Sequence, residues 1–164
     1  MKILNNQIFN DVFYVCSMVE YLSRRQKTKH ADIVSALGKD NLRWLYEFAD
    51  VHHCMTFEQV ADDVMERSPL PMGTYDVTVG LEFPLPSFLD IGKVYARLVQ
   101  SFLAENGTWE NPNADQIVDA LWEVFHSFVC EEISNFNSDL FYDTPSFLYE
   151  CFKYNKIFCD DEPD

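Results

Sequence analysis

The sequence predicts an all-α protein: a single compact multi-helix domain of about seven helices, with one long Pro/Gly-containing loop at 68–87. Three observations predict it. Apolar side chains recur three and four residues apart over most of the chain, the spacing that lines one face of a helix. Ser, Thr, Asn or Asp stands just ahead of most of these stretches, where its side chain can accept from the unsatisfied N–H groups of a first turn. Only five glycines and seven prolines occur in 164 residues, and four of the prolines and two of the glycines fall between 68 and 87. The turn-forming residues are thus gathered in one place.

The first helix is expected over 7–25, where Ile8, Val12, Val15, Cys16, Val19 and Leu22 form the stripe and Arg24, Arg25 and Lys27 complement the negative helix end. Thr28 is a candidate cap for a short helix over 29–37, closed by Gly38 in a left-handed conformation. Asp40 or Asn41 can cap the next, whose face is Leu42, Leu45, Tyr46 and Phe48 or Ala49. Thr56 and Gln59 have capping-box spacing and open a helix to about Arg67. After the loop, in which "YDVTV" could form a short extended piece, Ser87 caps a helix to about Glu105, ended by Gly107. Its stripe, Ile91 to Leu103, is the cleanest in the chain. Asn113 caps a long helix to about Phe136, and Asp143 or Thr144 with Pro145 opens the last, to about Tyr154. Residues 1–159 then make one domain, with subregions 1–67 and 88–159 sharing a core, and 160–164 form an acidic disordered tail. Leu98, Phe102, Leu121, Phe125 and Phe128, on the two strongest stripes, are expected to be buried in one cluster.

Apolar residues make up 48% of the chain and aromatic residues 15%, which supplies a core and excludes disorder for the bulk of it. The net charge of −15 is unevenly spread. Residues 1–43 hold seven basic and four acidic side chains, net +3; the remainder holds five and 23, net −18. No Lys or Arg occurs between Arg97 and Lys153. Such a field repels phosphate backbones and attracts basic partners. The five cysteines are scattered, with no CxxC pair, as suits reduced thiols in a cytoplasm. The first twenty residues do not read as a signal peptide, because Asn5, Asn6, Asn10 and Asp11 interrupt any apolar run. No stretch has the roughly 18 apolar residues of a membrane span.

Three constellations invite a chemical reading. Arg24, Arg25, Lys27, Lys29, Lys39 and Arg43, with His30 among them, span two short helices around a Gly-containing turn, superficially like a helix-turn-helix. They could form a phosphate clamp or a counter-surface for the acidic half. Against DNA binding, Asp40 and Asn41 would open the supposed recognition helix, and the rest of the chain is strongly acidic. The run His52-His53-Cys54 precedes a helix bearing Glu58, Asp62, Asp63 and Glu66. A metal-binding or hydrolytic site would use His52, His53 and Asp62, but consecutive ligands rarely point at one ion, and no second His/Cys cluster follows. His30 and His126 could join only by an accident of folding. A helix junction explains the run more simply, with one histidine at a helix end and the other in solvent. The third is the acidic surface of the last helices, Asp119, Glu123, Glu131, Glu132 and Glu150, expected to stand in solvent and to dock a basic protein.

The stretch from "FYVCSMVEYL" to "EFADVHH" resembles a group of small helical bacterial proteins of unknown function. The shared pattern is an apolar first helix ending in Glu20-Tyr21, a short helix with Asp32-Ile33-Val34 and Leu37, and a helix closing on Asp50-Val51-His52-His53. Members of the group are often encoded beside ADP-ribosyltransferase-like proteins, in an arrangement like toxin–antitoxin pairs. The resemblance covers residues 8–66 and departs from the group beyond 68. It implies an antitoxin-like role, no catalytic residues, and a fixed structural place for His53. The expectation is therefore a non-catalytic cytoplasmic binding protein without a cofactor, whose partner is a basic protein rather than a membrane or nucleic acid. A homodimer is compatible with the opposed charge of the two halves.

Overall fold

The computed structural model describes residues 3–158, so the expectation for the tail 160–164 lies outside the described residues. These residues are 66% helical and contain no strand. Eight α-helices follow in order: α1 (Asn6–Gln26), α2 (His30–Glu47), α3 (Ala49–His52), α4 (Phe57–Arg67), α5 (Phe88–Glu105), α6 (Ala114–Phe125), α7 (Phe128–Ile133) and α8 (Pro145–Tyr154), with a 3-10 turn at Leu140–Tyr142 before the last.

The helix starts follow the expected capping chemistry. Asn5, Thr56, Ser87, Asn113, Ser127 and Thr144 each accept a hydrogen bond from the first turn, and at Thr56/Gln59 and Asn113/Gln116 the reciprocal bond completes a capping box. Thr28 is an exception. The residue before α2 is Lys29, without a side-chain cap, and the Thr28 hydroxyl donates to the Gln26 and Pro71 carbonyls (2.8 and 3.1 Å). Gly38 does end the first helical segment, leaving the helical conformation at φ +74° as expected, so α2 is two helices that meet at a kink. Asn41 caps nothing there; its amide donates back to the Leu37 carbonyl (2.7 Å).

Helix α1 lies at the centre. Its most extensive packing is with α5, then with α2. The pair α1/α5 is antiparallel, since Leu4 N–H donates to Gln100 (3.1 Å) while Tyr21 meets Phe88 and Ser17 lies against Gly92. A Cβ at Gly92 would stand 2.2 Å from Ser17 Oγ and 2.7 Å from its Cα, so only glycine allows this approach. On the other flank, α2 packs antiparallel to α6, and α8 lies along α5.

Two details differ from the stripe reading. The single helix expected over 113–136 is two, because the chain leaves the helix at His126 and Ser127 caps a new one. The break resets the helical phase, so Leu98, Leu121 and Phe125 are in the core as expected while Phe128, the first residue of α7, is 38% exposed. Phe102 is half-buried against the ring of Phe152. The loop 68–87 forms no strand. It is stitched to the end of α1 by Gly73 N–H to the Gln26 carbonyl and Tyr75 N–H to that of Lys27 (2.8 and 2.9 Å).

Candidate functional site

The basic patch faces the chain's own carboxylates. Arg25 pairs with Asp62 (2.8 Å), Lys39 with Asp119 (3.0 Å), Lys29 with Glu131, and Arg43 with both Glu47 and Asp115. The antiparallel seam of α2 and α6 sets Lys39 and Arg43 opposite Asp119 and Asp115. Arg24 turns inward, and Lys27 ends α1 in a left-handed conformation, φ +50°. Of the acidic side chains expected in solvent, Asp119, Glu123, Glu131 and Glu150 are exposed and Glu132 is half-buried. Asp119 and Glu131 are the two already paired. Glu123, Glu132 and Glu150 carry no ion pair among the described residues.

The histidine junction separates its two rings. His52 is buried, edge-on to Trp44 at 4.7 Å, and burial lowers its pKa. His53 is exposed, its ring 4.8 Å from that of Tyr14. Packing thus encloses His52, while His53 stands at the C-terminal end of α3. Asp62, which a metal site would require, pairs with Arg25. Among the described residues no group of three or more His, Cys, Asp or Glu side chains could hold a metal ion.

A buried polar cluster stands where the sequence was read as an apolar stripe. Glu20 is wholly buried on α1, bonded at one oxygen by Arg24 Nε (2.9 Å) and at the other by His30 Nε2. His30 stacks on Phe125 with a 4° tilt at 5.9 Å, and its Nδ1 lies 3.3 Å from the Ser134 hydroxyl. Burial works against an imidazolium here, but Cys130 and Glu20 beside it outweigh that and push His30 up to about 10. Burial likewise opposes the Glu20 charge, and His30 and Arg24 more than offset it, holding the carboxyl below its usual range. The result is a carboxylate between two cations, in the interior. The cluster borders a cavity of about 220 Å³ that His126 also lines, so the fold does bring His30 and His126 to one place. Glu20 and Arg24 are spaced i, i+4, and Glu20 follows Cys16 by four on the buried stripe; that coincidence was the readable signal.

Beside the 3-10 turn, the end of the 68–87 loop forms a second cavity, of about 520 Å³, walled by Phe83, Phe136, Phe141 and Tyr142. Phe83, Phe141 and Tyr142 come from expected connections, and Phe136 from the end of the helix expected over 113–136. Comparison with family models, with curated proteins and with solved structures returns no match.

Proposed function

We propose that this chain is a non-catalytic binding protein, antitoxin-like or inhibitor-like in role, that engages a basic protein through its acidic surface in a bacterial cytoplasm. The observation that carries this reading is the internal use of the basic patch. Arg25, Lys29, Lys39 and Arg43 are each engaged by a carboxylate of the same molecule, which leaves little of the patch for a phosphate backbone. The excess of 27 acidic over 12 basic groups remains on the chain, and the field it creates steers basic partners. Glu123, Glu132 and Glu150, which need no local partner broken, are the carboxylates assigned to docking. Among the described residues no helix is long and apolar enough to cross a membrane. The test is capture from extract of the source cell, at low and high salt, by the parent and by the combined variant Glu123→Lys, Glu132→Lys, Glu150→Lys. The parent should retain a basic protein at low salt and release it at high salt, and the variant should not retain it. The same captured set with both proteins would sink this reading.

A further inference from the structure

The 520 Å³ cavity has the composition of a receptor for a positively charged side chain. Four rings wall it, Asp139 supplies a carboxylate, and among the described residues no Lys, Arg or His lines it. Phe141 and Tyr142 lie 4.4 Å apart at 34°, and Phe136 meets Phe141 edge-on at 5.8 Å, so these three rings form one connected wall. Tyr142 is 81% exposed and Phe83 61%, a large apolar outlay for solvent to face.

The wall is also built in advance. The Asn137 side chain accepts from the Glu82 N–H (2.8 Å) and donates to the Gly80 carbonyl (3.0 Å), which holds the segment bearing Phe83 against the 3-10 turn. Gly80 takes the positive φ, +68°, that this bend requires. Leu140, buried between Asp139 and Phe141, anchors the other side. Among the described residues, the Asp139 carboxylate has no ion pair and no cation lies over Phe83, Phe141 or Tyr142. Arg24 does lie over Phe136, at 5.3 Å.

We infer that this pocket receives an arginine side chain of a basic protein partner, its guanidinium against the Phe83, Phe141 and Tyr142 rings and paired with the Asp139 carboxylate. Ring faces attract cations, and a carboxylate at the rim fixes the orientation. Arginine fits better than lysine, because a planar, weakly hydrated guanidinium stacks on rings and pairs with a carboxylate through two donors. The inference rests on the reading that the partner is basic, and it places one contact outside the surface formed by Glu123, Glu132 and Glu150.

The experiment titrates the full chain with the acetylated and amidated tripeptide Gly-Arg-Gly and with the same peptide carrying citrulline, arginine's neutral isostere. The ring resonances of Phe83, Phe141 and Tyr142 are followed by NMR. The arginine peptide should shift these signals and bind at least about fivefold more tightly than the citrulline peptide. Tyr142→Leu and Phe83→Leu should abolish that preference, and Asp139→Asn should weaken it several-fold, with the helical spectrum unchanged. The Glu123/Glu132/Glu150 reversal variant should keep it, so that failure of the acidic-surface reading is seen separately. Equal binding of the two peptides would reduce the pocket to an apolar groove and overturn the inference. Choline binding as tightly as the arginine peptide would point to a small ammonium ligand and overturn it too, as would the absence of any ring shift.

Discussion

Replacing Glu20 by Gln keeps the volume of the side chain and removes its charge, leaving His30 and Arg24 to face each other across a neutral amide. The magnitude follows from the geometry. At an effective dielectric of about 20, the Arg24 contact alone is worth about 6 kcal/mol of Coulomb attraction at 2.9 Å. Most of that is offset by desolvation of a carboxylate with no exposed surface. The net cost of removing one partner from such a cluster is about 3–5 kcal/mol, because what remains is buried charge without compensation. A domain of this size is stable by about 5–15 kcal/mol, so the variant should unfold at much lower urea. Urea titration followed by circular dichroism gives the stability, and NMR of the His30 ring gives its protonation. Without Glu20, burial is opposed by Cys130 alone, and the His30 pKa should fall from its value in the parent. A loss under about 1 kcal/mol, or a His30 pKa that does not fall, would refute the ion-cluster account.

The same cluster fixes a pH dependence. The pKa of His30 is raised, so its stabilisation is complete below 6.5 and is lost as pH rises towards about 10; that of Glu20 is lowered, so its share is present above 4.5 and disappears as pH falls through the folded-state value. Melting temperature should therefore fall on the alkaline side of 6.5, and this slope should flatten in His30→Gln; an unchanged slope would assign it elsewhere. Phe125→Ala should cost about 3–5 kcal/mol and Phe128→Ala less than about 1, a contrast measurable by parallel urea titrations. Gly92→Ala should cost about 1–3 kcal/mol by overpacking. Ser17→Ala should restore only part of that loss, since the Ser17 Cα and N, which no substitution removes, lie 2.7 and 2.8 Å from the added methyl position; full rescue would locate the clash in the hydroxyl alone.

Helices whose apolar residues share one phase were readable from sequence, as were caps whose partner lies three residues on. Thr56, Ser87, Asn113 and Thr144 all cap as their local chemistry requires. Breaks within an apolar pattern were not readable. Between Phe125 and Phe128 the pattern continues in composition while the backbone turns, and the Ser127 cap that marks the turn lacks the glycine or proline that usually flags one. Thr28 shows the converse. Its type suits a cap, but α2 begins one residue later, at His30 after Lys29, and the Thr28 hydroxyl donates to the Pro71 carbonyl, 43 residues away. The Glu20–His30 pair depends on the path between α1 and α2, and the aromatic pocket on a 3-10 turn meeting a loop. Both are products of tertiary placement, which local periodicity does not encode.

The close approach at Gly92 bears on how the chain could be divided. Helix α1 belongs by sequence to the first subregion, yet its most extensive partner, α5, lies beyond the 68–87 loop. A fragment cut at residue 67 would bare the surface that Ser17 and Tyr21 press against Gly92 and Phe88, and would also lose Ser134 and Phe125 from around His30. The cooperative unit therefore spans both sides of the loop, and recombination that separated α1 from α5 would leave an apolar face bare on each half instead of yielding two modules.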